Sequence, residues 1–401
     1  MYHKAMRGAV IALFLALTVS LCLVACSDTS GNPKENGTGD LVTDVPTETP
    51  TDPVTEPATE PEETVPGGSE PEVTEPTETE PVEVSYFSRL TGEPTTKELY
   101  EQRPAAIMIN NVQKACPQIG VGEADVIFEC MCEGGVTRLM MLKTDYTALD
   151  VIGSIRSSRE YFVDYAQAFD ALYVHAGGSD QAYAEMKARR IDHVDFVNGR
   201  NPAGTFYQDP DRRVNMGYEH SLMTTGEAIA KDFVYNNLPL THGEDTVDSF
   251  RFVPYGTVNV PENGMDAPHV QIPYTASHYP QFVYHADTQT YYRYQFKGVL
   301  HIDGATNEPL TFTNVLILSC PHVSLNDSKY HIDVKTEGEG DGYYITMGKC
   351  VPIRWEKETV DSPLSLTYAD GTPVLLNCGK TFVNVVSPNA FSKITMDASG
   401  N

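Results

Sequence analysis

Two short stretches hold the side chains best suited to binding an anion. Arg156-Ser157-Ser158-Arg159 sets two guanidinium groups around two hydroxyls. His175-Ala176-Gly177-Gly178-Ser179 follows an imidazole with two glycines and a hydroxyl. Each stretch leads from a strand pattern into a helix pattern, so each offers free backbone N–H groups at the positive end of a helix dipole. Glycines there let a ligand approach the backbone. Arg156, Ser157, Arg159, His175, Gly177, Gly178 and Ser179 therefore define a candidate anion-binding cleft. The plain alternative is ordinary helix capping beside surface arginines.

A second charged group falls on a hairpin. Residues 124–143 alternate like two strands, and Gly134-Gly135 reads as a two-residue turn. That turn would pair Glu133 with Val136, Met131 with Arg138 and Glu129 with Met140. One face would then carry Val126, Phe128, Cys130, Cys132, Thr137, Leu139 and Met141, and the other Glu129, Glu133 and Arg138. With His220 this charged face is either a solvated ion-pair cluster or the floor of a site. Paired carboxylates can serve as acid and base in glycoside hydrolysis. Arg138 would hold both ionised, against the raised pKa that a general acid needs.

The elements that must position these groups are strands interleaved with helices. Ala105–Ile109, Val151–Ile155, Ala171–His175 and Val194–Val197 read as strands. Ser157 with Glu160 reads as a capping box, Ser179 caps a helix reaching Arg189, and Thr225 caps one through Phe233. This is an α/β sandwich with a mixed sheet over residues 86–245. Residues 246–401 read as an antiparallel β-rich domain, so the class is α+β. Ten short strands fit there, among them Gln281–Tyr284, Thr290–Phe296, Val315–Ser319, Tyr343–Met347 and Phe382–Val386. Tyr292, Tyr294 and Phe296 alternate onto one face, as core or as a platform for sugars. Thr336–Gly342 alternates carboxylates with glycines, yet Gly348 stands where a calcium loop needs glutamate, so it reads as a hairpin loop.

The N-terminus gives an address. His3, Lys4 and Arg7 precede an apolar run from Ala9 to Val24, the pattern of a secretory signal in residues 1–25. Leu23-Val24-Ala25-Cys26 has the shape of a bacterial lipobox, which makes Cys26 the lipidation site. Two acyl chains suffice for stable anchoring on the extracytoplasmic face. Residues 27–85 hold 16 Asp/Glu, one Lys and ten Pro, with no aromatic residue. With Cys26 they read as an acidic, Thr/Glu/Pro-rich disordered stalk. The 401-residue chain has 55 acidic against 28 basic residues, net −27. The stalk carries −15 and the signal +2, leaving −14 on the body. Such a balance excludes nucleic acid as a partner.

Known catalytic and cofactor motifs are missing. The sequence contains no His-Glu-x-x-His, Gly-x-Ser-x-Gly, Ser-x-x-Lys or P-loop pattern, and Gly120-x-Gly122 is too short for a dinucleotide fingerprint. No metal and no cofactor is implied. Cys116, Cys130, Cys132, Cys320, Cys350 and Cys378 number three per domain, so full pairing within domains is impossible; buried free thiols are the expectation.

At these motifs the chain resembles the YerB-like bacterial lipoproteins. The stretches that carry the resemblance are Arg103–Asn111, Gln118–Val121, Ala124–Glu129, Glu133–Arg138, Gly153–Arg159 and Tyr173–Ser179. It continues through Phe206–Asp209, Arg212, His220–Met223, Tyr291-Tyr292-Arg293, His301, Asp303, Trp355-Glu356-Lys357 and Asn377–Thr381. Gln208, Ser221 and Met223 depart from that pattern. The resemblance covers essentially everything after the stalk. It implies an extracytoplasmic lipoprotein with an α/β domain followed by a β-rich one, and no established reaction.

The resulting expectation is a membrane-anchored, non-catalytic lipoprotein whose cleft binds an envelope component: an anionic polymer, a peptidoglycan fragment or a partner protein. The alternative is a hydrolase of wall glycan or peptide, with Glu129 or Glu133 as base and His175 or His220 as partner. The enzyme reading requires those four residues to converge on one pocket.

Overall fold

The computed structural model describes residues 86–397. The expected signal sequence, Cys26 and the acidic segment lie outside the described residues. The chain order of the main elements is β1 (Ala105–Asn110), β2 (Val126–Met131), β3 (Thr137–Lys143), α1 (Glu160–Gln167), β4 (Leu172–His175), α2 (Asp180–Arg189), β5 (His193–Asp195) and α3 (Gly226–Tyr235). There follow β6 (Gln281–His285), β7 (Thr290–Gln295), β8 (Asn314–Ser319), β9 (Gly338–Thr346), β10 (Lys349–Lys357) and β11 (Thr381–Val386). The fold is α+β, mostly strands with few helices.

One 11-stranded sheet runs through both halves of the chain, in the spatial order Met265–Asp266, β10, β9, β8, β11, β2, β3, β1, β4, β5, with Ser365–Thr367 beside β10. Its two halves meet where β11 pairs parallel with β2, Asn384 opposite Glu129. β8 and β11 are also parallel, inside a segment that is otherwise antiparallel. The central strands β1, β2, β3 and β11 are covered on both faces, which is why they read as almost continuous apolar runs. On one face α1 and α2 pack Tyr161, Phe162, Tyr165, Ala182 and Met186 against Phe128, Met140 and Val385. The other face is covered by Ile229 and Phe233 of α3 and by Phe282 and Tyr291 of a second, six-stranded sheet containing β6 and β7.

The hairpin register differs by one residue from the sequence expectation. Met131 pairs with Thr137, Cys130 with Arg138 and Glu129 with Leu139. The loop holds three residues, Glu133-Gly134-Gly135, with both glycines at positive φ. A one-residue slip moves every side chain of one strand to the opposite face. Glu129 and Arg138 therefore point to opposite sides of the sheet. The longer loop is favoured because it puts Met140 and Leu142 on the face of Phe128, under α1, and Leu139 and Met141 on the face of Ile127.

Three other local expectations change. Ser157 does not cap α1: the N-cap position is Arg159, with no side-chain cap. Ser179 and Thr225 do cap, accepting from Ala182 N and Ala228 N. Thr336–Gly342 is not a loop, since β9 begins at Gly338 and runs paired with β10 to its end. On β7 the inward residues are Tyr291, Arg293 and Gln295, while Tyr292 and Tyr294 are only half-buried.

Candidate functional site

The proposed cleft residues do come together. The loop 154–159 lies against the loop 176–179: Ser158 N–H donates to Gly177 O at 2.8 Å, and Ala176 N–H to Arg156 O at 3.0 Å. Both loops sit beyond the carboxyl ends of parallel strands β1 and β4, where α/β sheets place ligands. Most of the polar groups there are already committed. Arg159 pairs with Glu133 through both Nε, at 2.9 Å, and NH2. Arg138 reaches the same carboxylate at 2.6 Å and donates to Ser157 O at 2.9 Å. Ser179 is the α2 cap and donates to Glu160 at 3.1 Å.

His175 is fully buried. One ring nitrogen, Nδ1, donates to Gly177 O at 2.8 Å, and the other, Nε2, accepts from His193 Nδ1 at 3.0 Å. Burial pushes its pKa down to about 4, against the pull of Asp195. Asp195 accepts from Gly177 N–H and from the Tyr183 hydroxyl, at 2.8 and 2.6 Å. His175 is thus a neutral post that fixes the Gly177 turn and offers nothing to a ligand.

Arg156 is different. Its guanidinium is only partly covered and meets a single exposed carboxylate, Glu219, at 3.3 Å. Burial, and then Arg138 beside it, lower its pKa. Next to it His220 accepts from Asn110 Nδ2 at 2.9 Å. Burial depresses the His220 pKa, and Arg156, Lys114 and Arg212 depress it further against Glu219. Four cations therefore gather here: Arg156, exposed Lys114, exposed Arg213 and buried Arg212, whose donors are used by backbone carbonyls of 115, 117 and 220. Arg213 also lies 5.2 Å from the ring centre of Tyr218, which is 65% exposed. The local acids are Glu219, exposed Asp211, and Asp209, which caps Arg212 N–H. In a body carrying −14, this rim is locally cationic and bears an aromatic face.

Glu129 belongs to neither group. It is completely buried on the other face of the sheet. One carboxylate oxygen accepts from Arg293 of β7 at 2.6 Å; the other accepts from His278 at 2.6 Å, Thr137 at 2.7 Å and Asn111 at 3.0 Å. The network continues in one consistent direction. Arg293 donates to His301 Nδ1 at 2.6 Å, His301 Nε2 to Gln118 Oε1 at 2.9 Å, and Gln118 Nε2 to Asn111 Oδ1 at 2.9 Å. Arg293 also lies 4.9 Å from the ring centre of Phe382. Burial raises the Glu129 pKa, but Arg293 and then His278 outweigh it and hold it at about 2. Burial and the Arg293 charge keep His301 neutral, well below its ordinary value. Nearby, Asp303 accepts from Gly120 N–H at 3.1 Å and Gly122 N–H at 2.6 Å. These bonds join residues 110–137 to residues 278–303.

The four residues required for a hydrolase do not converge. Glu129 lies under β7, Glu133 between Arg138 and Arg159, His175 beside His193, and His220 beside Asn110. Among the described residues no group of three His, Cys, Asp or Glu could hold a metal. All six body cysteines are unpaired, Cys116 and Cys378 half-buried and the rest buried. Burial pushes the Cys116 thiol up to about 11 and Cys320 to about 12. Sequence reasoning missed the roles of Asn111, Gln118, His278, Arg293 and His301. An arginine alternating with tyrosines on a strand was the one available signal.

A mixed-sheet α+β body built by two sequence segments, with a buried hydrogen-bond network around Glu129 and a cationic rim, is the class that this geometry defines. The chain belongs to the DUF3048 family: residues 90–238 match the "Protein of unknown function (DUF3048) N-terminal domain" and residues 270–383 the corresponding C-terminal domain. It is homologous to YerB of Bacillus subtilis (strain 168), which carries a provisional description as a lipoprotein, with 26% identity over 307 residues, 74% of this chain and 85% of that protein. The crystal structure of B. subtilis YerB has the same fold, with a TM-score of 0.67 at 22% identity, covering 78% of this chain and 99% of that one. No helix among the described residues is long and apolar enough to cross a membrane.

Proposed function

We propose that this protein is a lipid-anchored, extracytoplasmic binding protein without catalytic activity, and that its cationic rim holds an anionic component of the cell envelope. The observation that carries this reading is Arg156. It is a partly buried guanidinium beside Arg138, with one exposed carboxylate as its ion-pair partner, and it shares its neighbour His220 with Lys114 and Arg212. Crowded cations at a partly desolvated rim gain from a multivalent anion, because attraction there is screened less than on open surface. Tyr218 and Arg213 offer an aromatic face and a second charge for an extended polymer. The lipobox at Cys26 and the likeness to a described lipoprotein support the anchor.

The test is binding of a polyglycerol-phosphate polymer to the full chain in detergent, beside a neutral glycan of similar length. The expected result is salt-sensitive binding of the polyanion alone, weakened at least tenfold by Arg156→Ala with Lys114→Ala. Equal binding by that double variant would remove the rim as the site. Arg159 is unsuitable for this test, because its loss would leave Glu133 half-paired.

A further inference from the structure

Asp232 on α3 has no exposed surface, yet neither of its carboxylate oxygens has a hydrogen-bond partner among the described residues. The other buried acids, Asp125, Glu129, Asp164, Asp195 and Asp303, all accept from donors of the protein. Burial lifts the Asp232 pKa to about 6, and the Thr205 hydroxyl and Lys231 offset only part of that. Thr205 spends its proton on Pro202 O at 3.0 Å, and the exposed Lys231 ammonium turns to Ala203 O at 3.5 Å. The loop 198–205 is held against this part of α3. One amide nitrogen of Asn236 donates both to Arg200 O, at 3.1 Å, and to Asp232 O, at 2.9 Å. The same loop carries another unmatched oxygen. Asn201 Oδ1 is buried without a partner, while its Nδ2 donates to Asp195 O at 2.9 Å, which fixes the way the amide faces. The three unmatched atoms are thus all oxygens and all acceptors. What they lack is positive charge, and leaving such groups buried without it is costly.

We infer that loop 198–205 and α3 form a calcium site, with Asp232 as the charged ligand and Asn201 Oδ1 and the Thr205 hydroxyl oxygen as neutral ones. Backbone carbonyls of the loop fill the remaining positions. A proton would serve one carboxylate oxygen and a water would bring no charge, whereas a hard cation takes oxygens of every kind at once. Calcium suits an irregular loop because it accepts six to eight oxygens in flexible geometry; magnesium demands a near-ideal octahedron and keeps its waters. Residues 198–205 contain no thiol and no imidazole, so softer metals have no ligand there. One carboxylate among neutral oxygens makes the site weak, with a Kd of about 10⁻⁴–10⁻³ M, the range of extracellular calcium modules. The ion pins the segment that joins Asp195, the acceptor of Gly177 N–H, to the strand Phe206–Gln208. This site is independent of whatever the cationic rim holds.

The experiment uses the full chain in detergent, with calcium or magnesium chloride at equal ionic strength. Hydrogen exchange is read on the amides of residues 198–205, so that calcium gathered by the acidic segment 27–85 does not enter the signal. Calcium should slow exchange in this loop at least tenfold, and magnesium should not. Asp232→Asn keeps the shape, removes the charge and should abolish the calcium effect. Asn201→Asp adds a second charged ligand and should move the calcium midpoint at least tenfold lower; if Asp232→Asn does not fold, this variant makes the test alone. Loop exchange unchanged by calcium would overturn the inference and leave Asp232 to a proton or a water. So would calcium protection that persists in Asp232→Asn, or a midpoint that Asn201→Asp does not lower.

Discussion

Glu129 is a charged residue within the long sheet and Arg156 one in a loop beyond its strand ends, and their surroundings could hardly differ more. Glu129 has no exposed surface, and its two oxygens take four hydrogen bonds and one full positive charge. Arg156 sits at a rim among other cations, with one exposed counter-ion. The first arrangement commits both carboxylate oxygens inside the protein and leaves only Arg293 Nε of the network without a partner among the described residues. Its product is a joint between two parts of the sequence. The second leaves charge unbalanced at the surface, and its product is a place for something to bind. Perturbed charges mark both, so charge perturbation alone does not separate structure from function; the presence or absence of a complete internal partner set does.

The comparison breaks most visibly if the joint is cut. Glu129→Ala leaves Arg293 buried without its carboxylate, and breaking a buried pair from one side costs about 3–5 kcal/mol. Urea denaturation should show that loss, and Glu129→Leu with Arg293→Met should recover most of it. A double variant as weak as the single one would mean that the surrounding amides need the ion pair.

The next effect is on pH dependence. His175 has its folded pKa lowered from 6.5 to about 4, so the unfolded chain binds the extra proton first as pH falls. Its contribution is fully present above about 6.5 and is lost as pH drops towards 4, a slope of up to about 1.4 kcal/mol per unit. Glu129, lowered to about 2, adds stability that is fully present above its unfolded pKa and is lost only as pH falls through that unfolded value towards 2. Stability curves from pH 7 to 3 should therefore bend in two stages, and His175→Gln should reduce the first, which the depressed His301 and His220 share. An unchanged first stage in His175→Gln would contradict the burial of His175.

Smaller effects distinguish the two serines once treated alike. Ser179→Ala removes a true cap and should cost about 1 kcal/mol. Ser157→Ala removes none and should change stability by less than about 0.5 kcal/mol. Arg156→Ala should change stability no more than that while weakening polyanion binding, which is the sharpest form of the contrast with Glu129.

Much of the fold was legible in the sequence, for local reasons. The apolar runs 105–109 and 382–386 announce strands covered on both faces, and Ser179 and Thr225 announce helix starts because capping is a matter of neighbouring residues. The adjacency of loops 156–159 and 176–179 was legible too, since both follow strands into helices. The hairpin register was not. Gly134-Gly135 suits a two-residue or a three-residue loop, and only the packing of Phe128 with Met140 under Tyr165 decides between them. That single residue of slip separated Glu129 from Glu133 and Arg138.

The sequence by itself determined the acidic balance, the lipobox pattern at Cys26, the α+β class and the residues able to carry charge at each loop. Those properties depend on composition and on neighbours a few positions apart. The tertiary structure alone decided which charges are consumed. Arg293 lies 164 positions from Glu129, and β11 must cross back to pair with β2 before the two segments can share one interior. No local pattern encodes that meeting, because the free energy that selects it comes from burying both faces of one sheet at once.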